Sequence, residues 1–278
     1  MIRENFKIVT DSASDITGIT GVNFESAPLK IITDEREYVD NAELDVSTMI
    51  KELKSYKGHS STACPSPADF LDAFGEAQYV FCVTLTSQLS GSFSAATIAK
   101  EDYEEEHPDR RVYVIDSLSA GPEIRLIVEK LGELIADGHD FDTICEKIEE
   151  YTENTGLYFC LESLTNFANN GRVNPAIAKM AESLGIRMVG KAHEGTLKVL
   201  MKCCGKKKSM AALLDKLYAA GYKGGKLRIA YCDNEAGARE LAIEVRKKYE
   251  DSNIKIYHTR GLCSFYAERG GLLVAYEK

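Results

Sequence analysis

The chain predicts an α/β protein in two parts, the first a doubly wound, mostly parallel sheet and the second a mixed-sheet α/β unit. Three observations carry this expectation. Strand-like and helix-like segments alternate through the first ~150 residues, the pattern of a parallel sheet with crossover helices. Three apolar runs end in small hydroxyl residues: Lys7-Ile8-Val9-Thr10 before Asp11-Ser12-Ala13-Ser14-Asp15, Val80-Phe81-Cys82-Val83-Thr84-Leu85 before Thr86-Ser87-Gln88-Leu89-Ser90-Gly91-Ser92, and Val112-Tyr113-Val114-Ile115 before Asp116-Ser117-Leu118-Ser119. The length of 278 residues suits two cores better than one.

Each of the three strand ends is expected to lead into a helix. In an open parallel sheet these turns gather at the carboxyl ends of the strands, where ligands bind. Ser61-Thr62-Ala63-Cys64-Pro65-Ser66-Pro67 reads as a loop, because two prolines fix φ and hold the preceding residues extended. A helix is expected from Pro67, with Ser66 as its cap. Pro122 starts another, carrying Ile124, Ile127, Val128, Leu131, Leu134 and Ile135 on one face and ending at Gly138. Phe141, Ile144, Ile148 and Tyr151 mark the next helix, and Glu153-Asn154-Thr155-Gly156 the crossing between parts. The expected domains are therefore 1–154 and 155–278.

The second part opens with the strand Leu157–Cys160 and passes through Asn169-Asn170-Gly171-Arg172-Val173 to a helix from Pro175 that runs through Ala178, Met180, Ala181 and Leu184. Arg187–Ala192 and Thr196–Met201, joined by His193-Glu194-Gly195, read as a hairpin. Helices near Ser209–Ala220 and Ala236–Tyr249 alternate with strands Leu227–Cys232, Ile254–Tyr257 and Leu272–Tyr276.

Composition narrows the function. A net charge of −9 repels phosphate backbones, and no concentrated basic face offsets it, so a nucleic-acid partner is not expected. No run of residues is long and apolar enough for a membrane span, and the opening Met1–Lys7 lacks the apolar core of a signal peptide. Eight cysteines without Cys-x-x-Cys spacing fit a reducing compartment rather than a disulfide or zinc module. The expected location is the cytoplasm, without stable membrane insertion, and no metal or other cofactor is called for.

Several residues carry chemistry. Ser66 reads as a helix cap, whereas Thr62 lies too far upstream to cap anything. In Ser90-Gly91-Ser92, a serine caps the helix while glycine admits close backbone approach and free N–H groups attract an anion. Asp11, Asp15 and Asp116 supply carboxylates for Asx-turns, with Mg²⁺ binding as the alternative. His193 and His258 are the candidate bases for a serine hydrolase, but the Gly-x-Ser-x-Gly elbow is absent, as are the common nucleotide-binding loops.

In order and spacing, Asp11-Ser12-Ala13-Ser14-Asp15, Thr62–Pro67, Leu89-Ser90-Gly91-Ser92, Asp116-Ser117 and Gly171-Arg172-Val173 resemble the motifs of the DegV family of bacterial lipid-binding proteins. The resemblance implies a non-catalytic carrier that holds one long-chain fatty acid between two domains and presents it to a separate fatty acid kinase. It places the carboxylate-binding threonine and serine on Thr62 and Ser90, with Gly91 allowing close approach, and Ser12, Ser92 and Arg172 as further candidates. It also implies that 155–278 contributes the acyl-chain pocket. Two departures stand out. Thr62-Ala63-Cys64-Pro65 replaces Thr-Ser-Gln-Pro, and the family's His-x-Gly-Pro-Gly falls on Ala267-Glu268-Arg269-Gly270-Gly271 when aligned from Gly261, the alignment that also matches the last strand, whereas anchored on His258 it loses Gly-Pro-Gly instead. The alternative is a serine hydrolase or phosphoryl-transfer enzyme using the same strand-end loops.

Overall fold

A computed structural model describes residues 3–181 and 185–278. The first part holds β1 (Phe6–Asp11), β2 (Asn23–Ala27), β3 (Lys30–Ile32), β4 (Glu37–Val39), α1 (Val46–Ser55), β5 (Ser61–Ala63), α2 (Pro67–Phe74), β6 (Tyr79–Thr84), α3 (Ser92–Glu106), β7 (Arg111–Asp116), α4 (Pro122–Ala136) and α5 (Phe141–Glu153). β2, β1, β6 and β7 form a parallel four-stranded sheet in that order, and β4, β3 and β5 a small antiparallel one. The parallel strands are apolar on both faces because helices cover both. Ile8, Phe81 and Val83 pack against α4 and α5, while their neighbours Val9, Val80 and Cys82 pack with α2 and α3.

The rest comprises β8 (Thr155–Leu161), α6 (Thr165–Asn169), α7 (Pro175–Ala181), β9 (Ile186–His193), β10 (Thr196–Cys204), α8 (Lys206–Ala219), β11 (Lys226–Tyr231), α9 (Glu235–Lys248), β12 (Asn253–His258), α10 (Gly261–Ala267) and β13 (Leu272–Glu277). Its six strands form a mixed sheet ordered β10-β9-β8-β13-β11-β12, with only β11 and β12 parallel. β9 and β10 make the expected hairpin. Its two-residue turn, Glu194-Gly195, has φ of 50° and 77°, the left-handed pair that a tight hairpin requires.

Strand alternation divides this sheet between two tasks. Tyr158, Cys160, Leu272 and Val274 face α8 and α9 in one core. Leu157, Phe159, Leu161 and Leu273 point the other way, toward the first part. α4 stands between the sheets: Ile124, Ile127 and Leu131 enter the first core, and Leu126 packs with Leu157 and Ala275.

Three expectations need correcting. β1 does not lead into a helix; a single 3₁₀ turn, Ser12–Ser14, follows it, because Asp11 accepts from Ala13 N and Asp15 turns left-handed at φ 56°. Ser61–Ala63 is a strand rather than a loop, hydrogen-bonded to β3. Thr155 and Gly156 already belong to β8, so the crossing is confined to Asn154. The helix from Pro175 is described to Ala181, and Leu184 lies outside the described residues.

Candidate functional site

A cavity of about 310 Å³ lies between the two larger sheets, at the lower end of the range for small-molecule pockets. Its wall is mostly apolar and comes from both parts. Leu157, Phe159, Leu161 and Leu273 contribute from the mixed sheet, and Leu29, Leu85, Leu89 and Leu118 from the loops above the parallel sheet. Among the described residues, Arg172 is the one charged residue in the lining, and no histidine is present there.

The polar end is assembled from four separate segments. Thr62 sits in β5, paired with Ile31 of β3, which fixes where its hydroxyl points. Ser90 and Gly91 end the loop that leads from β6 into α3, where Ser92 N–H donates to Ser90 Oγ at 3.2 Å. Gly91 lets these two segments pack closely: a Cβ there would stand 3.0 Å from Cys64 Sγ, and the exposed thiol would have to shift. Arg172 donates from Nε to Leu89 O at 3.2 Å and from Nη1 to Asn170 O at 2.5 Å, tying the 170–173 loop to the serine loop.

The fourth segment was not legible in the sequence. Tyr266, on α10, brings its hydroxyl to 2.8 Å from Thr62 Oγ1 and lines the cavity. Its ring stacks on Phe167 at 4.6 Å between centroids. Burial pushes the phenol above its ordinary value, outweighing the Thr62 hydrogen bond, so the hydroxyl keeps its proton and remains a donor. A seven-residue helix next to a glycine gives little periodic signal, and only its contact with β5 reveals the role of this tyrosine.

Buried acids hold these loops. Asp11 accepts from Leu85 N at 2.8 Å and Ala13 N at 3.2 Å, and Asp116 accepts from Ser87 N and Leu118 N, each at 3.1 Å. Burial pushes the Asp11 carboxyl up to about 7, although these bonds and one from the Ser92 hydroxyl favour its charged form. Asp40 accepts from Gly261 N and Leu262 N, both at 2.8 Å, and Asp15 from Arg260 N at 2.7 Å. Two carboxylates from the first part thus receive the free N–H groups at the start of α10, the helix that carries Tyr266.

Thr62, Ser90, Gly91 and Arg172 therefore converge on the cavity, while Ser12 and Ser92 lie outside its lining. Ser12 Oγ accepts from Leu29 N at 3.0 Å, and buried Ser92 backs Ser90 with 3.0 Å between their hydroxyl oxygens. Ser66 caps α2 in a reciprocal capping box with Asp69. His258 bonds Thr259 O, and the hydroxyl of Ser90 meets Ser92 rather than a histidine, so the hydrolase reading has no base at its nucleophile. Among the described residues, no group of three His, Cys, Asp or Glu side chains converges as a metal site.

Comparison with known proteins decides the family. The model described as "Uncharacterised protein, DegV family" matches residues 5–278. The chain belongs to the DegV family. A DegV domain-containing protein of Streptococcus pneumoniae is 45% identical over 277 residues, covering 98% of this chain and 99% of the relative. Two solved DegV structures match with TM-scores of 0.96, each covering 98% of this chain and 99% of the other. One is a DegV family protein from Eubacterium eligens loaded with heptadecanoic acid, at 43% identity. The other is the Streptococcus pneumoniae fatty acid kinase (Fak) B3 protein loaded with linoleic acid, at 44% identity. The α/β architecture read from the sequence is that of the DegV fold. No helix among the described residues is long and apolar enough to cross a membrane.

Proposed function

We propose that this DegV protein binds one long-chain fatty acid in the cavity, its carboxylate held by Thr62 and Ser90 with Gly91 allowing close approach. The observation that carries the reading is an apolar cavity lined by Thr62, Ser90 and Tyr266, with the Thr62 and Tyr266 hydroxyls 2.8 Å apart. Two DegV proteins above 40% identity carry a fatty acid, which supports the same ligand here. Burying methylene groups contributes about 0.8 kcal/mol each, so the tail supplies most of the affinity, less the cost of association. Hydrogen bonds to the charged head contribute roughly 1.5–3 kcal/mol each and fix its orientation.

The protein acts as a carrier without catalysis of its own and presents the acid to a separate fatty acid kinase, as the likeness to the Fak B3 protein suggests. Residues 1–154 form the domain that supplies the headgroup loops, and 155–278 the domain that supplies much of the acyl wall. The protein works in the cytoplasm. Mass spectrometry of the purified, denatured protein tests the reading: a stoichiometric long-chain fatty acid is expected. A protein that yields none, and that binds none on titration, is not this carrier.

A further inference from the structure

A second cavity, of about 480 Å³, runs along α4 and shares no lining residue with the first. Its walls are one stripe of α4, the 16–20 loop and the first turns of chain in β11 and β12. Its chemistry is the opposite of the acyl cavity's. Arg125, Lys226, Arg228 and Lys255 line it against Glu129 and Glu133, and Lys226 also reaches Glu277 at 3.5 Å, which leaves one cation in excess on a chain of net charge −9.

Both lining carboxylates already have partners. Glu129 takes Arg228 Nη2 at 2.5 Å and Lys255 Nζ at 3.1 Å, and Glu133 takes Lys226 Nζ at 2.7 Å. Burial works against the charge on Glu129, but these cations outweigh it and hold its carboxyl below the ordinary range. Arg125 is left with no carboxylate bridge among the described residues. Its Nη2 donates to Asp15 O at 2.6 Å, its guanidinium lies 4.0 Å over the Tyr257 ring, and its Nε is buried without an acceptor. That Nε is closed off from the cavity as it is from solvent, so what Arg125 offers a ligand is the remainder of its partly buried guanidinium.

We propose that this cavity binds a small phosphate-bearing dianion, with Arg125 and Lys255 supplying the charge-assisted donors. The dianion is either free phosphate or the phosphate of a monoester, since the volume leaves room for an organic substituent. The inference is independent of the fatty acid reading.

Thermal unfolding of the full chain in inorganic phosphate, in AMP and in sodium chloride of equal ionic strength tests it. At about ten times the Kd, either probe is expected to raise Tm by roughly 3 °C over chloride. Lys255→Met is expected to weaken binding about threefold and Arg125→Met about tenfold, with fatty acid binding unchanged in Lys255→Met. Tighter binding of AMP assigns the site to a monoester, and equal or tighter binding of phosphate assigns it to the free ion. No rise over chloride with either probe, or a rise undiminished in Lys255→Met, overturns the proposal. The Lys255 side chain is 57% exposed, so its variant decides the matter even if Arg125→Met does not fold.

Discussion

Thr62 Oγ1 and the Tyr266 hydroxyl stand 2.8 Å apart across 204 residues of sequence. This contact joins the small β4-β3-β5 sheet to α10 at the polar end of the cavity. It places a phenol beside the threonine proposed to bind the carboxylate.

Removing donors from this cluster should weaken fatty acid binding in steps. Thr62→Ala with Ser90→Ala is expected to lower affinity roughly 100-fold, and Tyr266→Phe, which keeps the ring packing, about tenfold. Isothermal titration with a long-chain acid measures both. Affinity unchanged in the double variant would remove these hydroxyls from the site.

The apolar wall makes a separate demand. Each added methylene should strengthen binding about fourfold until the cavity is filled, because burial contributes about 0.8 kcal/mol per CH₂. A series of saturated acids of increasing length gives the slope. A flat series would mean that the tail stays outside.

Asp40 acts on the site through α10. Asp40→Ala leaves the N–H groups of Gly261 and Leu262 buried without acceptors and should cost about 3 kcal/mol, read by urea denaturation. Fatty acid affinity should fall severalfold as well, since Tyr266 loses its anchored helix.

The pH dependence of stability follows from Asp15, whose carboxyl burial pushes from 3.8 up to about 7. Between those values the folded state holds the proton more tightly than the unfolded one, so stability falls as pH rises from about 4 to 7 and is flat above. The loss from this group is on the order of 4 kcal/mol at most. Asp15→Asn should reduce the slope by this group's share, leaving the share of Asp11, whose carboxyl burial also pushes up to about 7. It keeps an oxygen for Arg260 N–H and replaces Oδ2, which is buried without a partner. Denaturation at pH 5 and pH 8 makes the comparison, and an unaltered slope would show that Asp15 does not titrate in this range.

Much of this protein is written locally. Short apolar runs in β1, β6 and β7, the proline at the start of α4 and the Glu194-Gly195 turn each specify an element through nearest-neighbour sterics and local pattern. Thr62, Ser90 and Gly91 stood out for a related reason, as hydroxyl and glycine residues beside prolines and strand ends, whereas Arg172 was marked only by its place in a motif that resembles the DegV family's. β3, β4, β5 and α10 were not legible, because strands of three residues and a helix of seven are too short to show a period. Tertiary packing alone decided that Ser92 and Ser12 back the cavity while Tyr266 enters it. It also decided that buried Asp40 and Asp15 hold α10 in place. Those outcomes depend on desolvation and on hydrogen bonds between residues more than 200 positions apart, and no local pattern in a chain encodes which distant donor a buried carboxylate will find.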